Sequence, residues 1–124
     1  MKILILDDIL EYLNSLSRAL GNDHQIVTAA SIEDAKAKLD DTIQLAILDV
    51  RLAEDDIANR DGIQVLGYIR QHYPSLPVIM MSAYRDFDAA ADALNLGASY
   101  YLKKPINLRE LKDLIATLGG NPVN

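Results

Sequence analysis

The sequence predicts an α/β fold: a single doubly wound parallel sheet of five strands with helices on both faces. Three observations predict it. Short apolar runs alternate with helical patterns five times along 124 residues, the order that parallel sheets with crossover helices require. The runs at residues 2–6, 44–48 and 78–81 carry no polar alternation, as suits strands covered on both sides. The length fits one domain, and half the residues are hydrophobic, enough to bury roughly two thirds of the unfolded surface.

The elements follow in order. Residues 2–6 form the first strand, closed by Asp7 and Asp8. A helix over 9–20 aligns Ile9, Leu13, Leu16 and Leu20 on one face, and Gly21 stops it. Residues 24–28 are a short strand. Ser31 caps a helix that runs to about Leu39, with Asp34 where a capping-box acid would sit. The third strand covers 43–48 and ends on Asp49. Residues 51–61 are a long loop for a strand-to-helix connection. Gly62 leads into a helix ending before Pro74, and residues 76–81 form the fourth strand, with Pro77 tolerable near its start. Ser82 and Ala83 follow. An alanine-rich helix over 86–96 stops at Gly97, and a fifth strand over 98–102 ends at Lys103-Lys104-Pro105. Asn107 caps the last helix, 108–118. A breaker-rich tail follows, so the domain is expected over 1–119 and a tail over 120–124. Tyr73, Tyr100 and the Leu/Ile stripes read as packing residues.

Composition excludes several functions. The chain has no cysteine, which removes disulfides, thiolate metal sites and thiol catalysis. His24 and His72 sit in contexts that do not pair them. The net charge of −6 argues against a nucleic-acid surface. No apolar run approaches the roughly 18 residues of a membrane span. The start shows no signal-peptide pattern, and the expected location is the cytoplasm.

Parallel strands bring their carboxyl ends to one rim, where open α/β sheets bind ligands. This rim gathers Asp7, Asp8, Asp49, Ser82 and Lys104. Each alone has an ordinary explanation: Asp49 as an acid entering a loop, Asp8 as a helix cap, Ser82 as a turn hydroxyl, Lys104 as a solvated lysine. Together they place three carboxylates, a hydroxyl and an ammonium on four strand tips. Two carboxylates 4 Å apart repel by roughly 4 kcal/mol at an effective dielectric near 20, so a cation or a raised pKa is expected. Only hard oxygen ligands are on offer, which selects Mg²⁺ or a similar ion over zinc or copper.

Asp7-Asp8, Asp49, Ser82-Ala83 and Lys104-Pro105, in this order on these strand ends, resemble the receiver domain of two-component response regulators, over about residues 2–118. The resemblance implies a flavodoxin-like (βα)5 fold with strand order 2-1-3-4-5. It implies that Asp49 is the phosphoacceptor, served by a sensor histidine kinase or a histidine phosphotransfer protein. Asp8, Asp49 and the backbone carbonyl of Arg51 would hold Mg²⁺, with Asp7 acting through water. Ser82 would hydrogen-bond the phosphoryl group, Ala83 would leave room for it, and Lys104 would pair with Asp49 or its phosphate. A cis peptide bond before Pro105 is implied. Ser82 and Tyr101 would form the conformational switch, signalling to an output domain or partner, with a phosphorylation-linked homodimer as one form. The implied role is signalling, with self-catalysed phosphotransfer and no enzymatic turnover of a substrate.

The chain departs from the family in the loop after Asp49, several residues longer before Asp61-Gly62. Ala53 stands where a proline is common, and the insert carries Glu54, Asp55 and Asp56. One reading is a solvated acidic loop; the sharper one is a partner-contacting or gating loop. Arg51 and Tyr84 are bulky at positions that tune phosphate hydrolysis in receivers, which implies slow to moderate self-dephosphorylation; surface packing is the other role for Tyr84. Two further readings compete. A phosphatase with an aspartyl nucleophile would want an acid where Arg51 stands and would carry its nucleophile on the first strand. A degenerate, interaction-only receiver would lack an acid or the lysine, and all are present.

Overall fold

Strands β1 (Lys2–Leu6), β2 (Gln25–Ala29), β3 (Leu45–Asp49), β4 (Val78–Ser82) and β5 (Tyr100–Lys103) form one sheet in the order β2-β1-β3-β4-β5. Every pairing is parallel. Helices α1 (Leu10–Leu20), α2 (Ile32–Lys38), α3 (Asp61–His72), α4 (Phe87–Asn95) and α5 (Leu108–Leu118) complete the alternation. This computed structural model describes residues 1–53, 56, 58–82 and 87–119. Ala83 and Tyr84, Glu54 and Asp55 of the long loop, and the tail over 120–124 lie outside the described residues.

The strands sort their side chains by parity. Ile3, Ile5, Leu45, Ile47, Ile79 and Met81 face α1 and α5, meeting Leu13, Leu16, Leu111 and Ile115. Leu4, Leu6, Ala46, Leu48, Val78 and Met80 face α2, α3 and α4, meeting Ala35, Leu66, Ile69 and Ala93. Strands β3 and β4 are buried at every position, which is why their sequences lack alternation.

The N-cap signals act as the sequence suggests, but Asp34 does not close a capping box: its carboxylate accepts from Lys38 Nζ at 3.2 Å. Ser31 Oγ accepts the Asp34 N–H at 3.1 Å and Asn107 Oδ1 accepts the Glu110 N–H at 3.0 Å, each satisfying a first-turn donor. Gly97 takes a left-handed φ of 96°, and the Ala98 N–H reaches back to the Ala93 carbonyl at 3.0 Å, closing α4 with a Schellman turn.

Three strands begin two residues later than expected, at Leu45, Val78 and Tyr100. Ile43, Leu76 and Ala98 are buried, so they extend the apolar runs, but each sits in a turn. The Ile43 N–H goes to Asp40 and the Leu76 N–H to Tyr73, bonds that compete with a ladder. Tyr100 is 38% exposed, which corrects its reading as a packing residue: it lies on edge strand β5 with its side chain outward. Tyr73 does pack, its hydroxyl donating to the Leu39 carbonyl at 3.1 Å. Among the described residues, no helix is long and apolar enough to cross a membrane.

Candidate functional site

The strand order reverses between β1 and β3, since β2 lies to one side of β1 and β4 and β5 lie beyond β3. Asp7 leaves the end of β1 and Asp49 ends β3, so both stand at this switch point, where an open sheet leaves a crevice. Ser82 ends β4, the strand on which Met81 sits opposite Asp49. Lys104 follows β5 directly, its backbone N–H donating to the Ser82 carbonyl at 2.8 Å. Four neighbouring strand tips therefore supply the predicted residues.

Their side chains converge. Lys104 Nζ donates to Asp7 Oδ2 at 2.7 Å and to Asp49 Oδ2 at 3.3 Å. These three side chains are almost completely buried. Asp7 Oδ1 accepts the Ile9 N–H at 3.0 Å. The residue flanking α1 is Ile9, and the Asp7 carboxylate holds the turn that leads into it. Asp8 is exposed, yet one carboxylate oxygen from each of Asp7, Asp8 and Asp49 lies within 4.8 Å of the others. Ser82 is 1% exposed and Arg51 3% exposed. Tyr101 lies on β5 in register with Met80, half-buried against the α2–α4 side of the core. The Lys104–Pro105 peptide is cis.

The electrostatics follow from that geometry. Burial raises the Asp49 carboxyl to about 7, and the charge of Asp7 pushes the same way; Lys104 and the Arg51 backbone N–H pull partly back. For Lys104, burial alone would lower the ammonium, but the hydrogen bond to Asp7 and the charges of Asp49 and Asp7 outweigh it, and the net direction is up. The lysine is therefore a fixed cation between two carboxylates. Lys104 thus stands between two buried carboxylates, and exposed Asp8 brings a third to the mouth. Three carboxylate oxygens at this spacing, with no nitrogen or sulfur donor among them, suit a small hard divalent cation. A proton on Asp49 is the alternative way to relieve the repulsion.

Backbone packing sets the position of Asp49. The Val50 N–H donates to the Met81 carbonyl at 2.8 Å, and the Gly62 N–H donates to the Val50 carbonyl at 3.0 Å. A Cβ on Gly62 would lie 1.7 Å from the Asp49 carbonyl oxygen, so only glycine lets α3 start this close to β3. Within the long loop, Asn59 Oδ1 accepts the N–H of Leu52 and that of Asp61, both at 3.1 Å. One side chain thereby ties together the two ends of the insertion.

Two contributors were not singled out from the sequence. Asn59 left no signal beyond its preference for turns. Tyr12, whose ring lies under the Lys104 ammonium at 4.2 Å, could have been found as an aromatic four residues before Leu16, widening the apolar stripe of α1 at its rim end.

The fold and the site together define a receiver. The profile of the family described as response regulator receiver domain matches residues 3–116, and the chain belongs to that family. It is 38% identical over 117 residues to the response regulator protein FleR of Pseudomonas aeruginosa, covering 93% of this chain and 24% of FleR. The chain thus spans about a quarter of the length of the curated relatives it matches over most of its length. The receiver domain of NtrX from Brucella abortus superposes with a TM-score of 0.84 at 27% identity, covering 96% of this chain and 98% of that one. A CheY-like receiver domain protein from Methanospirillum hungatei gives 0.82 at 27% identity, covering 94% and 90%.

Proposed function

We propose that this domain, over residues 1–119, accepts a phosphoryl group on Asp49 from a phosphohistidine of a sensor histidine kinase or phosphotransfer protein. The observation that carries the reading is the buried Lys104 ammonium bridging Asp7 and Asp49 at the switch point of the sheet. An Asp49 oxygen attacks phosphorus and forms the P–O bond. The P–N bond breaks, and its electron pair leaves with the imidazole nitrogen, which takes a proton. Such a transfer needs placement and charge neutralisation more than covalent help. Lys104 supplies a fixed positive charge beside the developing phosphoryl oxygens. The Ser82 hydroxyl, at the tip of the adjoining strand, donates a hydrogen bond to one of them. Asp8, Asp49 and the Arg51 carbonyl would hold Mg²⁺, with Asp7 acting through water. When bound, the ion neutralises carboxylate and phosphoryl charge together.

The aspartyl phosphate carries nearly two negative charges. Ser82 turning towards it gives Tyr101 space to move inward, which shifts populations of the surface made by α4, β5 and α5. That surface is the one we assign to signalling, towards an output domain, a partner protein or a second copy of the chain. The bulk of Arg51 beside the acceptor supports slow to moderate self-dephosphorylation.

Acetyl phosphate with Mg²⁺, read by intact mass, tests the assignment. One added phosphoryl group is expected, lost on omitting Mg²⁺ and absent in Asp49→Asn. A gain that survives Asp49→Asn would misplace the acceptor. In the same preparation, beryllofluoride should move the NMR resonances of Ser82 and Tyr101; unchanged resonances there would remove the switch.

A further inference from the structure

We propose that Tyr12 is a positioning residue for the phosphotransfer lysine: its ring holds the Lys104 ammonium beside Asp49 and shields it from water. The inference rests on the reading of Asp49 as acceptor. Its own support is geometric. The ammonium lies 4.2 Å from the ring centroid, well inside cation–π range. Tyr12 stands in the first turn of α1, half-buried, so α1 brings the ring in while β5 brings the ammonium. Tyr12 and Lys104 border the same largely apolar cavity of about 190 Å³, together with Leu16, Met81, Pro105 and Ile106.

The ring meets a need that the carboxylates do not. Lys104 is held more closely by Asp7, at 2.7 Å, than by Asp49, at 3.3 Å. Phosphotransfer requires it to favour an oxygen on the Asp49 side. A hydrogen bond to Asp7 is directional and weakens as the ammonium moves. The face of a ring is broad, so its attraction persists while the ammonium slides from one anion towards the other. The Lys104 side chain is only 2% exposed, and cation–π attraction is greatest when the cation is desolvated. Removing the ring would widen the cavity that Lys104 already borders and let water compete for the ammonium.

Tyr12→Leu keeps an apolar side chain and removes the ring; Tyr12→Phe keeps the ring and removes the hydroxyl. With acetyl phosphate and Mg²⁺, Tyr12→Leu should be phosphorylated roughly three- to thirtyfold more slowly than wild type, the span of cation–π strengths from exposed to buried. Tyr12→Phe should restore most of the rate. The Lys104 Hε resonances should be shifted upfield in wild type and in Tyr12→Phe and return to ordinary values in Tyr12→Leu, which reports whether ring and ammonium are stacked in solution. Wild-type phosphorylation with an unimpaired Tyr12→Leu overturns the inference and leaves the acceptor standing. A wild type that takes no phosphoryl group on Asp49 overturns both. Should Tyr12→Leu fail to fold, ordinary Lys104 Hε positions in wild type and Tyr12→Phe overturn the inference by themselves.

Discussion

At the scale of single residues, the site is a problem of charge placed where water cannot screen it. Asp49 is buried beside Asp7, and its carboxyl is raised to about 7. The unfolded chain releases that proton near pH 4. Between these values the folded state binds more protons than the unfolded one, so stability falls as pH rises through the window and levels off above it. The raised Lys104 has its unfolded value near 10 and contributes no slope there. In metal-free buffer, the melting temperature of wild type relative to Asp49→Asn should therefore decline from about pH 4.5 to about 7.5, with the variant the more stable at the upper end by an amount of the order of a few kcal/mol. Mg²⁺ should narrow the difference. A flat difference across the range would show that Asp49 ionises in the folded protein as freely as in the unfolded one.

At the scale of elements, the contact between α3 and β3 decides whether Asp49 keeps its place. Gly62→Ala puts a methyl group 1.7 Å from the Asp49 carbonyl oxygen, which backbone must yield to relieve. Overpacking of this kind costs about 1–3 kcal/mol or more, and phosphorylation should slow along with the loss of stability, measured by denaturant titration beside the acetyl phosphate rate. A variant as stable and as fast as wild type would mean that α3 can withdraw without moving Asp49. The sequence showed that a helix begins near Gly62, yet not why glycine is needed, because the obstacle is a carbonyl thirteen positions earlier in the chain. The same limit explains the strand starts. Ile43, Leu76 and Ala98 are apolar and buried, so a pattern of hydrophobicity includes them, while turn hydrogen bonds exclude them from the ladders. Caps were legible because they act within three residues: Ser31 with Asp34, Asn107 with Glu110. The site residues were legible because parallel strands carry their ends to one rim whatever the details between. The tilt of Tyr12 towards Lys104 was not, since it depends on where α1 lies over the sheet.

At the scale of the whole molecule, Lys104 ties β5 to two strands with which β5 shares no backbone bonds. It extends from β5, passes β4 and grips the tips of β3 and β1, which lie beyond it in the sheet order. Lys104→Ala leaves two carboxylates buried without their counter-ion, a loss of about 3–5 kcal/mol when a buried pair is broken. The effect should reach the edge: amide hydrogen exchange along β5 should accelerate more than along β1. Equal acceleration in both strands would show that the lysine serves the sheet only through global stability.

The turns that hold Ile43, Leu76 and Ala98 precede β3, β4 and β5, so they all lie at the end of the sheet remote from the carboxylates. Each tucks one buried apolar side chain under that end, beneath a surface that exposes Asp40 and Asp41, while Asp7, Asp49 and Lys104 meet at the other. A substitution that loosens the packing of Ile43, Leu76 or Ala98 should lower the melting point and leave the distances among Asp7, Asp49 and Lys104 little changed. Robustness is thus drawn from both ends of the same strands, and reactivity from one.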